Sequence, residues 1–373
     1  MKIIIAGAYA IGTHLARLLS RSKEDITLID DSEERLASIG SDYDLLTMLG
    51  QPTSLKILQN ADIQDADLFI AVTPLESKNI TSCILAKKLG AKRTVAKVDN
   101  PEYMDQQAQD FFRELGIDKL IYPEMLAAVD INNGLKMSWV RQRWDVHDGA
   151  LIMLGIKLRE TCEILNKPLK DISGPNDPYH VVAIKRGSDT IIPGGYDELK
   201  LYDLAYFMTT RNYIPYIRKI VGKEHYVDVK NVMVMGGGRT AVRAVKKMPE
   251  YMETKIIEID EHRCEYLNDI LDDRKTLIIH GDGRDIPLLT EEGIRSTQAF
   301  VALTGNAETN ILACLTAKRL GVRKTVAAVE NLDYVSMAVS LDIGTSINKK
   351  AIAASYSYQM MLEGDVMNVR FLM

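Results

Sequence analysis

The strongest constraint on this chain is that it repeats itself. Ala71-Val72-Thr73 is followed by Asn79, Cys83, Ala86-Lys87-Lys88-Leu89-Gly90, Thr94-Val95-Ala96 and Asn100-Pro101-Glu102-Tyr103. The series returns as Ala302-Leu303-Thr304, Asn310, Cys314, Ala317-Lys318-Arg319-Leu320-Gly321, Thr325-Val326-Ala327 and Asn331-Leu332-Asp333-Tyr334. The offset never changes: Thr73 maps to Thr304, Asn79 to Asn310 and Tyr103 to Tyr334 by the same step. A period this long, kept in register over many positions, means two copies of one folding unit. Duplication favours a ligand sensor with paired sites over an enzyme with one.

Each copy opens with the same grammar. In the first, Lys2-Ile3-Ile4-Ile5-Ala6 is a short apolar strand ending at Gly7. A helix follows with Ile11, Leu15, Leu18 and Leu19 on one face, then the strand Ile26-Thr27-Leu28-Ile29 ending at Asp30. Strand, glycine turn, helix, strand and acid is the order of a Rossmann unit, in which the turn holds a pyrophosphate and the acid holds a ribose. Asp30 follows Gly12 close to where a ribose-binding acid belongs, and a carboxylate there repels a 2′-phosphate, so NAD or an adenosine nucleotide is favoured over NADP. The turn itself, Gly7-Ala8-Tyr9-Ala10-Ile11-Gly12, carries Tyr9 where the fingerprint has its middle glycine. Tyr9 either fills part of the phosphate space, swings out, or stacks on a ligand; the bland alternative is a shell that has lost its ligand. The strand 67–73 puts Thr73 at the edge where ligands sit in open α/β sheets. Lys97, in the strand 94–98, is either a cation near a phosphate or a solvated strand-end lysine.

In the second copy, Asn231-Val232-Met233-Val234-Met235 leads to Gly236-Gly237-Gly238-Arg239-Thr240-Ala241. Both early glycines are present, Ala241 is tolerated at the third position, and the Arg239 guanidinium can pair with a phosphate. Glu258 follows Gly236 at nearly the interval that separates Asp30 from Gly7, and is the equivalent of Asp30. Arg263 matches Arg35, and either stacks near an adenine or pairs with acids on its own helix. In His280-Gly281-Asp282-Gly283, Asp282 either caps the next helix or meets a ligand; its counterpart in the first copy is Gln51. On turn chemistry the second site is the better formed.

Between the copies the pattern changes. Runs at 150–158, 181–187, 189–195 and 203–208 read as strands of a small α+β domain with no glycine fingerprint and no catalytic cluster. His147 and His180 stand alone there. The fold class is therefore α/β, with two doubly wound parallel-sheet domains (1–136 and 230–373), a small α+β domain (140–211) between them, and a connector (212–229). The net charge of −5 and the lack of a long basic run argue against nucleic acid, and no stretch is long and apolar enough to span a bilayer. Cys83 and Cys314, repeat equivalents inside helices, read as small buried residues, and no two of the four cysteines have metal-ligand spacing.

These motifs together resemble the TrkA family of Trk-system potassium uptake proteins and the wider RCK (KTN) group. The residues that carry the resemblance are Lys2–Gly7 with Gly12, Ile29-Asp30 with Arg35, Ala66–Thr73 with Asn79, Gly236–Arg239, Ile257–Asp260 with Arg263, His280–Gly283, and Ala302–Gly305 with Asn310. The likeness extends to the middle domain, which is similar to an RCK-C (TrkA-C) domain, the flanking units being RCK-N. It implies a cytoplasmic protein, peripheral at the inner face of the membrane, that binds NAD(H) or ATP/ADP. It also implies docking on an integral-membrane potassium transporter and assembly as a dimer or tetramer ring. By position it places ligand contacts at Gly7 through Ile11, Asp30, Thr73, Pro74 and Val98, and at Gly236 through Thr240, Glu258, Thr304 and Gly305. Tyr9, Pro74 and Gln51 depart from the family's usual residues, and a second RCK-C domain is expected to be missing at the C-terminus.

Two other readings compete. An NAD-dependent oxidoreductase needs a proton donor or base beside the nicotinamide and a substrate domain. His14, His262 and His280 have no carboxylate at a telling spacing, and the remaining mass is a second Rossmann unit and a small module. The other reading is a structural pair of Rossmann shells without ligand.

Overall fold

A computed structural model describes residues 1–20, 24–39, 43–146, 149–174, 177–187, 189–271, 274–331 and 333–359. His147, Leu332 and the part of the second copy beyond residue 359 lie outside the described residues.

The first copy runs β1 (Lys2–Ala6), α1 (Ala10–Leu19), β2 (Asp25–Asp30), α2 (Glu33–Ala37), β3 (Leu46–Leu49) and α3 (Leu55–Asn60). It continues through β4 (Leu68–Ala71), α4 (Glu76–Lys88), β5 (Thr94–Lys97), α5 (Gln106–Glu114), β6 (Lys119–Ile121) and α6 (Pro123–Leu135). Its six strands are parallel in the order β3-β2-β1-β4-β5-β6. β1 and β4 are unbroken apolar runs because helices cover both faces of a parallel sheet, and Ile3 through Ala6 and Leu68 through Ala71 are fully buried. Leu15 and Leu19 of α1 are buried against one face, with Ile11 and Leu18 packed at the margin. The other face carries α4, whose Cys83 and Ala86 are buried with Phe69 and Val98.

The small sheet is antiparallel. β7 (Gln142–Val146), β8 (Leu151–Lys157), β9 (Tyr179–Arg186), β10 (Asp189–Ile191) and β11 (Leu204–Thr209) lie in the order β10-β9-β11-β8-β7, with the short α7 (Leu169–Ile172) beside them. β7 gives no sequence signal because it is a half-buried edge strand without alternation, held by Trp144 stacking on Tyr206 with ring centroids 5.8 Å apart. The segment expected as a connector instead contains α8 (Ile214–Ile220), which buries Ile217, Ile220 and Val221 in the small sheet's core. Its apolar residues serve that core, so the segment is not a free linker.

The second copy repeats the first: β12 (Asn231–Met235), α9 (Arg239–Lys246), β13 (Glu253–Glu258), α10 (Glu261–Ile270), β14 (Thr276–His280) and α11 (Ile286–Glu291). Then come β15 (Ala299–Ala302), α12 (Ala307–Arg319), β16 (Lys324–Ala328), α13 (Asp333–Ser340), β17 (Thr345–Ile347) and α14 (Lys349–Gln359). The strand order β14-β13-β12-β15-β16-β17, again parallel, matches that of the first sheet. Each sheet reverses direction of build between its first and fourth strands, and the crevice at that switch point is where open α/β sheets bind ligands.

The chain forms two compact units. One contains Met1–Leu126 and the segment from Lys349; the other contains Ala127–Asn348. In the first, α14 packs on α1 and buries Ala353 and Ala354 in the cluster around Leu15. In the second, Asn132 of α6 donates its side-chain amide to Ala244 O of α9 at 3.0 Å. All four cysteines are buried and unbridged; Cys83 and Cys314 donate their thiols to Val95 O and Val326 O.

Candidate nucleotide-binding sites

The second glycine turn is open. Gly236 adopts φ +95°, a conformation that favours glycine, and an added Cβ would lie 3.2 Å from the Leu303–Thr304 backbone. Gly238 has φ −66° and ψ 179°, so any residue fits its backbone, and nothing lies within 4 Å of the position of its Cβ. That open space faces a pocket of 360 Å³ lined by Gly236, Gly238, Glu258, Asp282, Thr304 and Gly305, with Arg284 and Thr309 beside them. Arg239 begins α9 on the exposed side and Thr240 is half-buried.

Glu258 is set, among the described residues, by backbone amides. Its Oε2 accepts from Gly237 N at 2.6 Å, and its Oε1 from Ile259 N and Asp260 N at 2.8 and 3.1 Å. The carboxylate ties the turn to the end of β13 while remaining half-exposed to the pocket. Arg263 turns toward the glycine turn: its Nε donates to Gly237 O at 2.8 Å and its guanidinium lies 4.7 Å from the Tyr266 ring centre. It braces the turn from behind. Asp282 does not cap α11, whose first flanking residue is Asp285. Instead it pairs with Arg284 at 2.6 Å, and that hydrogen bond pulls its carboxyl below the usual range while raising the Arg284 guanidinium. Nothing in the sequence pattern points to Arg284 except its place shortly after an acid in a glycine-rich loop.

The first turn has the same backbone and a different occupant. Gly7 has φ +110°, and an added Cβ would come 3.0 Å from Thr73. Tyr9, at φ −84° and ψ −178°, shares the backbone conformation of Gly238, so the missing glycine does not distort the turn. The consequence is carried by the side chain. The Arg35 guanidinium lies 4.2 Å from the Tyr9 ring centre and pairs with Asp30 at 2.6 Å and Asp31 at 2.5 Å. Asp30 also accepts from Ala8 N at 2.6 Å and Ser32 N at 2.9 Å, and is only 2% exposed. The Asp30 hydrogen bond raises the Arg35 guanidinium further. Lys78 and Gln51 complete the cluster on Asp31 and, with their hydrogen bonds, hold that carboxyl below its ordinary value, the Lys78 bond being the larger cause. Ala10 is exposed and Ile11 half-buried at the start of α1.

At Gly12 the two turns part again. An added Cβ there would lie 1.9 Å from Gly7 O, whereas Ala241 carries a methyl at the same step. Further along the first edge, Lys97 pairs with Asp99 at 2.9 Å, Val98 is fully buried, and Pro74 is exposed.

The TrkA-N domain profile matches residues 3–123 and 232–349. Over 378 aligned residues the chain is 30% identical to the Trk system potassium uptake protein TrkA of Haemophilus influenzae, covering all of this chain and 81% of that one. The chain belongs to the TrkA family. A second TrkA, from Halomonas elongata, is 28% identical over 375 residues, with 100% of this chain and 81% of that one covered. Among solved structures, the GsuK RCK domain superposes with a TM-score of 0.67 at 15% identity, covering 96% of this chain and 76% of that one. The GsuK channel bound to NAD gives 0.69 at 15% identity, over 96% and 63%. At that identity the superpositions speak to the fold: paired Rossmann sheets of RCK type. TrkA relatives are potassium uptake proteins, which sets the oxidoreductase reading aside.

Proposed function

We propose that this chain is a nucleotide-sensing regulatory subunit of a Trk-type potassium uptake system. The observation that carries the reading is the second glycine turn: an open 360 Å³ pocket with a carboxylate fixed at its edge by three backbone amides. A pyrophosphate needs backbone N–H groups at a helix N-terminus and a ribose needs an acid, and this pocket offers both. Gly236 through Thr240 would hold the phosphates, Glu258 the ribose hydroxyls, and Thr304, Gly305 and Asp282 the walls. NAD(H) and ATP/ADP are the ligands this chemistry suits. GsuK structures with NAD and with ADP, on the same fold, support that choice.

The rest of the reading rests on kinship. The chain would sit at the inner face of the membrane, dock on an integral-membrane potassium transporter, and assemble as a dimer or tetramer ring. No described helix is long and apolar enough to cross a membrane, which fits attachment through the partner. Control would work by population shift, since a nucleotide moves a conformational equilibrium only by its difference in affinity between states.

Calorimetric titration of NAD, NADH, ATP and ADP into the full chain tests this. Glu258→Ala removes charge-assisted hydrogen bonds and is expected to weaken the preferred nucleotide about tenfold or more. Equal affinity for all four ligands, unmoved by Glu258→Ala, would overturn the reading.

A further inference from the structure

Within the unit Ala127–Asn348, positive charge gathers around a single acid. Asp342 adopts φ +53°, and its carboxylate receives Arg141 at 2.6 Å, Arg159 at 2.5 Å and Lys318 at 3.2 Å. Beside them lies a cavity of 430 Å³ whose wall holds those three cations and four more, Lys157, Lys223, Arg323 and Lys324, with no carboxylate among the lining residues. None of its lining is shared with the glycine-turn pocket.

Two of the extra cations are buried without an acid. Lys223 is 4% exposed, and among the described residues its Nζ hydrogen-bonds to the Tyr226 hydroxyl alone, at 3.2 Å. Lys324 is 2% exposed and donates to Val140 O at 2.6 Å and Thr345 Oγ1 at 3.2 Å. Lys157 is half-buried, its ammonium pushed down by that burial, and its Nζ makes no hydrogen bond or ion pair among the described residues. Buried ammonium groups are costly unless an anion or hydrogen bonds compensate them. A fold that keeps seven basic side chains around one cavity is arranged to receive negative charge. The amount is large: one phosphate leaves most of these cations unanswered, whereas a chain of phosphates has the charge and the several acceptor oxygens that guanidinium and ammonium groups recognise. The aromatic wall argues the same way. The Tyr226 ring already has Lys223 and Arg323 over it, at 4.8 and 5.7 Å, which leaves it occupied rather than free to stack a base.

We propose that this cavity binds an anion carrying two or more phosphate groups, at a site independent of the glycine turns. Such an anion bridges Arg141, Lys157 and Arg159 of the small domain to Lys318 and Lys324 of the second Rossmann domain, and so couples the two modules. The anion can be inorganic or the phosphate chain of a nucleotide.

The test is titration of pyrophosphate into the full chain, followed by calorimetry and thermal unfolding, with orthophosphate and ADP as parallel arms. Pyrophosphate is expected to bind and raise the melting temperature. Lys157→Gln and the exposed Arg323→Gln are each expected to weaken it about tenfold, and Lys157→Glu to abolish it, while NAD titration in the same samples reports that the glycine turn is intact. ADP competing with pyrophosphate in a Lys157-dependent way assigns the site to a nucleotide's phosphates; no competition assigns it to the inorganic anion. No pyrophosphate binding, or binding that Lys157→Glu leaves unchanged, overturns the proposal.

Discussion

Asn79 Oδ1 accepts both hydrogens that Thr73 has to give, the amide at 2.8 Å and the hydroxyl at 2.7 Å. Its own amide returns to Thr73 O at 3.0 Å and reaches Lys97 O at 2.9 Å. Asn310 makes the same four bonds, to Thr304 N, Oγ1 and O and to Ala328 O. One buried side chain thus ties the ends of two adjacent strands together at the edge of each crevice. The repeated Asn is explained by architecture, and the repeated Thr spends its hydroxyl on that clamp. Asn79→Ala leaves a buried amide and two carbonyls short of partners, while the hydroxyl keeps Leu75 O at 3.2 Å, so a loss of about 2–5 kcal/mol is expected. Asn310→Ala should cost a similar amount. Urea unfolding of each variant checks this; a cost within experimental error at both positions would remove the clamp.

The Tyr9–Arg35 pair predicts unequal sites. Asp30 is 2% exposed beneath the Arg35 guanidinium, so a ribose reaches it only if that side chain and the tyrosine leave. Calorimetry on Lys157→Glu, which closes the cationic cavity to phosphates, is expected to show one nucleotide per chain with measurable affinity. Tyr9→Gly combined with Arg35→Ala in that background should add a second. A stoichiometry of two before the first turn is altered would show that the pair yields readily to the ligand.

Gly238→Tyr is the reciprocal experiment. Nothing lies within 4 Å of its Cβ position, so stability should hold within about 0.5 kcal/mol, the range of ordinary surface substitutions. Nucleotide binding at the second turn should fall sharply because the phosphate space is filled. Gly12→Ala should behave in the opposite way: its Cβ would lie 1.9 Å from Gly7 O, forcing α1 off β1 at a cost of about 1–3 kcal/mol. Thermal unfolding and nucleotide titration of the two variants separate a filled site from a strained backbone.

These contrasts also mark what the sequence could reveal. The parallel sheets were legible because β1, β4, β12 and β15 are apolar runs, β1 and β12 each ending at a glycine, and because the second copy repeats the first in register. β7 was not, since Gln142-Arg143-Trp144-Asp145-Val146 is a half-buried edge strand without alternation, and the stacking of Trp144 on Tyr206 is a long-range contact. At the first turn the substitution of Tyr9 was visible, but its pairing with Arg35 depends on a helix direction that no local pattern encodes. The polyphosphate cavity was illegible for the same reason. Arg141 and Lys324 belong to different modules, far apart along the chain, and only the packing of the small sheet on the second Rossmann unit brings them to one wall.

Lys324 gives a pH test with a definite sign. Burial, and then repulsion from Arg141, lowers its ammonium from an ordinary 10.5 to about 7. Between those two values the unfolded chain holds a proton that the folded chain has lost, so stability rises with pH across the window. Below about pH 7 both forms are charged and the full penalty is present; above 10.5 both are neutral and it vanishes. Denaturant unfolding of the unaltered chain and of Lys324→Met, compared from pH 6.5 to 9.5, should show the native lysine gaining on methionine as pH rises. A difference that is flat or falls with pH would mean that Lys324 keeps its charge in the folded chain. Saturating pyrophosphate should shrink the gain of lysine over methionine across the same window, because a bound polyanion against Lys324 lets the buried ammonium hold its proton, while the pyrophosphate's own titration acts on both proteins alike.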